Sequence, residues 1–98
     1  MTEKMTYTRG SGNIFLDVGF DKPEAENLKM RFELMMQIER WVKASGMTQA
    51  AAAKALGLTQ PRLNALLKSK MRLFSLDALV TIATRAGLSV RLVVRKAA

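Results

Sequence analysis

The run Met47-Thr48-Gln49-Ala50-Ala51-Ala52-Ala53-Lys54-Ala55-Leu56-Gly57-Leu58-Thr59-Gln60-Pro61-Arg62-Leu63-Asn64-Ala65-Leu66-Leu67-Lys68 holds two short helices and a tight turn between them. Thr48 can cap the first helix, Gln49 to about Leu56, where Ala50, Ala51, Ala52, Ala53 and Ala55 bring high helix propensity. Gly57 stops it and takes the turn, where a positive φ is expected. Thr59 caps the second helix, Gln60 to about Lys68, with Pro61 in a first-turn position where a missing N–H costs little. Ala52 is small enough to let the helices approach at their crossing. Leu58 and Leu63 are placed to pack under the turn, and Leu66 continues the inward face. The outward positions Thr59, Gln60, Arg62, Asn64 and Lys68 are all polar or basic.

Upstream, Asp21 can cap a long helix with Pro23 near its start, running to about Ala44 and ended by Gly46. At 3.6 residues per turn, Leu28, Phe32, Met35, Ile38 and Val42 form one apolar stripe, and Met30, Leu34 and Trp41 form a second beside it. Before this helix, Ile14, Leu16 and Val18 alternate with Phe15 and Asp17, a pattern that fits a short strand or an extended segment. Residues 1–12 are polar, rich in Gly and Thr and without period, and read as a mobile arm before a single domain over 13–98. Downstream, Ser75 can cap a helix over Leu76 to Ala86, with Leu76, Leu79, Val80, Ile82 and Ala83 facing inward and Gly87 at its end. In the tail, Leu88, Val90, Leu92 and Val94 alternate with Ser89, Arg91 and Arg95, which predicts a strand over 88–95. A lone strand leaves its backbone groups unpaired, so this one needs Ile14–Val18 or its twin in a dimer.

Ninety-eight residues with 49% apolar and 24% charged side chains suit one globular domain with a thin stability margin. Cysteine and histidine are both absent, which removes disulfides, thiol nucleophiles and the ordinary zinc ligands. Most carboxylates fall on the long helix, as a solvated face. An enzyme is therefore not expected, nor a cofactor or metal. No apolar run is long enough to span a membrane, and no signal-peptide pattern opens the chain, which makes the cytoplasm the expected compartment. The net charge of +8 is unevenly placed. Residues 1–45 hold seven basic and seven acidic residues, whereas residues 46–98 hold nine basic ones against a single acid, Asp77. The whole excess shares the half that carries the two short helices, as a surface for a polyanion would require.

The stretch 47–68 resembles the helix-turn-helix of the phage-repressor-like, or XRE, family. The residues that carry the likeness are Thr48-Gln49, Ala52, Gly57 and Thr59-Gln60-Pro61-Arg62-Leu63. It extends to Ser11-Gly12-Asn13-Ile14-Phe15, the helix end Trp41–Gly46, and Lys70-Met71-Arg72-Leu73-Phe74-Ser75-Leu76-Asp77-Ala78-Leu79. Together these are similar to a branch of small XRE proteins, many of them antitoxins of the HigA kind paired with RelE- or HigB-type toxins. The resemblance implies a mainly α fold: a phage-repressor-like bundle of four to five helices, with a short C-terminal strand and a second candidate strand at the N-terminus. It also implies a sequence-specific DNA-binding regulator, an antitoxin that represses its own operon, or alternatively a stand-alone regulator without a toxin.

Carried over by position, the resemblance gives Gln49 a phosphate and the bracing of Gln60, which can bond adenine bidentately. Arg62 would reach guanine or a phosphate, with Asn64 and Lys68 one and two turns further along. Thr48 and Thr59 cap helices whose N-terminal amides can face phosphates. Lys70 and Arg72 would add contacts that position without specifying. Ala65 and Leu67 depart from the pattern, since relatives place polar residues there, which narrows the base-reading set to Gln60, Arg62 and Asn64. Two half-sites read by a homodimer are the usual arrangement for double-stranded operator DNA. The dimer or toxin surface is expected on Met30, Leu34 and Trp41, or on the paired strands through Val90, Leu92 and Val94.

Overall fold

The computed structural model describes residues 13–97, and the arm expected over 1–12 lies outside them. Five α-helices follow in order: α1 (Ile14–Asp17), α2 (Lys22–Ser45), α3 (Gln49–Leu56), α4 (Gln60–Leu67) and α5 (Leu76–Arg85), with a 3-10 turn at Met71–Leu73. Each α-helix starts at a side-chain cap. Asp21 Oδ1 accepts from Glu24 N–H (3.2 Å), Thr48 Oγ1 from Ala51 (3.1 Å), Thr59 Oγ1 from Arg62 (3.2 Å) and Ser75 Oγ from Ala78 (3.0 Å). Caps of this type contribute about 1 kcal/mol each. Gly46 and Gly57 end α2 and α3 in the left-handed region, at φ 71° and 73°.

The core is a single cluster. Met35, Ile38 and Val42 of α2 meet Ala52, Ala53 and Leu56 of α3, Leu63 and Leu66 of α4, Phe74, and Leu79, Ile82 and Ala83 of α5. Ala52 is fully buried, so α3 can come close to its neighbours without a side chain in the way. Helix α2 packs on α1, α4, α5 and the 3-10 turn.

Two expectations of β structure are corrected, since no strand occurs among the described residues. The segment Ile14–Val18 opens as a single helical turn. Asn13 starts it, its Oδ1 accepting from Phe15 and Leu16 N–H while its Nδ2 donates to the Ala25 carbonyl and to Glu26. Four residues cannot distinguish a period of 2 from one of 3.6 by apolar spacing, and a buried asparagine with both ends engaged decides for the helix. Phe15 then rests edge-on against Phe32 of α2, with ring centroids 6.2 Å apart. That leaves the C-terminal segment no strand to pair with among the described residues. Leu88 N–H closes α5 by donating to Ala83, and residues 89–97 follow without regular secondary structure.

Candidate nucleic-acid interface

Helices α3 and α4, the turn between them and the loop after α4 follow one another in the chain and carry the exposed basic residues Lys54, Arg62, Lys68, Lys70 and Arg72. Gly57 turns the chain by donating to the carbonyls of Ala53 and Lys54, and Leu58 N–H follows with a 2.8 Å bond to Ala53. Helix α4 is oriented by Leu63 and Leu66, both at 0% exposure. At 100° per residue, the direction opposite these two carries Pro61, Asn64 and Lys68, with Gln60 and Arg62 on the two flanks. All five are exposed, whereas Ala65 and Leu67 are half-buried and pack against the core. Gln49, at the start of α3, is also exposed. Thr48 and Thr59 serve as caps, their hydroxyls taken by the amides of their own first turns.

The segment after α4 is held from two sides. From α2, Arg31 Nη1 donates to the carbonyls of Met71 and Phe74, each at 3.2 Å. From α4, Arg62 Nη1 donates to the Leu73 carbonyl at 3.0 Å, and its guanidinium lies over the Phe74 ring, 4.3 Å from the centroid. Lys70 and Arg72 project from this fixed segment and are both exposed. Arg62 thus stands on the interface with its guanidinium directed along the protein.

Arg31 of α2 and Arg85 of α5 brace these elements from neighbouring helices and were not singled out from the sequence. Arg31 sits three residues after Leu28 and four before Met35, a basic residue in an apolar register, and that spacing is a readable signal of a structural arginine. The guanidinium of Arg85 covers the backbone of Gly57, and no local pattern announces it.

The expected partner surface is divided. Met30 is exposed and Leu34 half-buried; with Val80, Leu88, Val90 and Leu92 they line a groove of about 800 Å³ between α2, α5 and the C-terminal segment. Trp41 lies elsewhere, half-buried against the core. Val94 continues the apolar side of the tail and is exposed, as are Leu92 and Val93.

Among the described residues no helix is long and apolar enough to cross a membrane, and no group of acidic residues is arranged to hold a metal. A helix-turn-helix domain family matches the chain over residues 14–95. A solved structure described as an XRE-family transcriptional regulator aligns with a TM-score of 0.72 and 32% identity, over 76% of this chain and 84% of that one. No curated protein matches.

Proposed function

Because this chain belongs to the XRE family of helix-turn-helix transcriptional regulators, we propose that it represses transcription by reading a specific operator with α4. The observation that supports this most is the row of Gln60, Asn64 and Lys68, carried on a short helix whose other side, Leu63 and Leu66, is fully buried. Gln60 and Asn64 are the residue types that bond adenine bidentately in the major groove. Lys68, Lys70 and Arg72 supply the phosphate contacts, and Gln49 with the first turns of α3 and α4 approaches the backbone. The chain acts as a homodimer on two half-sites, since one module of this size buries little surface on DNA.

The apolar groove and the exposed tail supply the surface for protein partners. The second copy occupies it through Val90, Leu92 and Val94. A small toxin of the RelE or HigB type, in an antitoxin role, would contact Met30 and Leu34. The exposure of Met30 at 42% and Leu92 at 85% favours a protein partner on this side, because charged and polar residues normally cover a finished surface. The stand-alone regulator without a toxin is the alternative.

Selection of duplexes from a random pool by the purified chain tests the DNA reading. An enriched, pseudo-palindromic site bound at least 1,000-fold more tightly than scrambled DNA is expected for a specific regulator, on the order of known specificity ratios. Equal binding to all sequences would make the chain an architectural binder. Co-expression with the product of the adjacent reading frame tests the antitoxin role: a stoichiometric complex that suppresses the partner's RNA cleavage supports it, and two independent proteins refute it.

A further inference from the structure

Arg62 is the only basic residue within α4, and it occupies the flank of the helix beside Leu66, roughly 110° from the outward direction. Its guanidinium is engaged on the chain's own surface. One N–H is given to the Leu73 carbonyl, and the planar face rests on Phe74. Phe74 is itself 1% exposed, so the ring that carries Arg62 is anchored in the core. Arg31 takes the carbonyls of Met71 and Phe74 from the opposite side. The segment that bears Lys70 and Arg72 is therefore fastened to α2 by one arginine and to α4 by the other. Of the two arginines only Arg62 joins it to the helix proposed to read bases, adding to the backbone bond from Lys70 N–H to the Ala65 carbonyl that holds its start.

We propose that Arg62 is a positioning residue for DNA recognition: it locks the segment 70–74 to α4, so that Lys70 and Arg72 meet phosphates in fixed register with Gln60 and Asn64, and it reads no base itself. The proposal rests on the DNA-binding reading above. Swinging the guanidinium out to a guanine would break both the bond to Leu73 and the stacking on Phe74. Leaving it in place keeps both contacts. A lysine could not substitute, because an ammonium has no flat face to lay on the ring and only a point charge to offer the carbonyl.

The test uses the full chain, a duplex that the wild type enriches from a random pool, and a scrambled duplex of the same composition. Affinities of the wild type, Arg62→Ala, Arg62→Lys and Arg62→Gln are measured across a salt series, with thermal midpoints as a check on folding. Arg62→Ala is expected to weaken both duplexes by a similar factor, about 10-fold, leaving their ratio within about 3-fold. The slope of log K against log salt should fall in magnitude by about 2, as two phosphate contacts lose register. Arg62→Lys should behave like Arg62→Ala although the charge is kept. In the free chain, amide exchange over residues 71–74 should rise in all three variants.

A collapse of the specificity ratio in Arg62→Ala would make Arg62 a base reader and overturn the proposal while leaving the DNA reading intact. Full rescue by Arg62→Lys would reduce Arg62 to a phosphate charge, and unchanged amide exchange would remove the lock; either overturns it too. A wild-type chain that enriches no duplex would overturn the DNA reading and this proposal together.

Discussion

The guanidinium of Arg85 fills the space where Gly57 would carry a side chain, with Nη1 3.0 Å and Cζ 3.1 Å from the position a β-carbon would take. Two constraints therefore meet at the turn between α3 and α4. The backbone is at φ 73°, where an L side chain is strained, and the space above it is filled.

Gly46 provides the comparison that separates the two constraints. It ends α2 at φ 71° with nothing within 4 Å of its absent side chain. Gly46→Ala should cost backbone strain alone, about 1–2 kcal/mol. Gly57→Ala should cost that and the displacement of Arg85, and so lower the melting midpoint further. For a domain of this size each kcal/mol corresponds to roughly 4–8 °C. Combining Gly57→Ala with Arg85→Ala should return the loss to that of Gly46→Ala. Equal losses for the two glycine variants would show that Arg85 moves aside without cost.

Ser69 points the other way. It follows α4 at φ 57°, and around it Ser69 N–H donates to Leu66 at 2.9 Å and Lys70 N–H to Ala65 at 3.1 Å. This is the six-residue closure that glycine normally occupies, with a serine in the left-handed position. Ser69→Gly should raise the melting midpoint by several degrees, since relief of about 1 kcal/mol of strain exceeds the entropy added to the unfolded chain. A lower midpoint would mean that the serine hydroxyl stabilises the turn.

What was legible in the sequence was local. Thr48, Thr59 and Ser75 could be read as caps, and Gly46 and Gly57 as helix ends, because each acts within four residues of its place. The start at Asn13 was not readable, because its decisive partner, the Ala25 carbonyl, stands twelve residues away. The alternation of Leu88 to Val94 is present, yet a strand requires a neighbour, and α1 has taken the candidate expected among the described residues. The locks on the loop after α4 span 40 and 43 residues for Arg31 and 11 for Arg62, distances at which spacing carries no information. The candidate reading row was legible through the likeness of its motif; the direction of Arg62 was not.

Substitution of the proposed base reader Gln60 and of the proposed phosphate contact Lys70 should separate in the same assay. Gln60→Ala should reduce preference for the selected duplex over scrambled DNA by about 1–3 kcal/mol while changing scrambled binding little. Lys70→Ala should weaken both duplexes alike and lower the salt slope by about 1. Both positions are exposed, so folding should be unaffected. If Lys70→Ala altered the preferred sequence, the loop would be reading bases, and the assignment of roles would have to be exchanged.

The exposed tail offers the test of the proposed dimer. Leu92 is 85% exposed and Val94 82%, so Leu92→Lys with Val94→Lys removes little that the isolated chain uses. Leu88, by contrast, packs against the core, and a truncation that removed it would confuse assembly with stability. In sedimentation the wild type should run as a dimer and the double lysine variant as a folded monomer, because two charges on each tail would oppose pairing along an apolar edge. The loss should carry to DNA: the variant should bind a single half-site as the wild type's one module does, and lose the added affinity of the full palindrome. A dimer that persists unchanged would place the interface on the Met30 and Leu34 side of the groove, where Met30→Asp, at an exposed position, is the substitution that should then dissociate it.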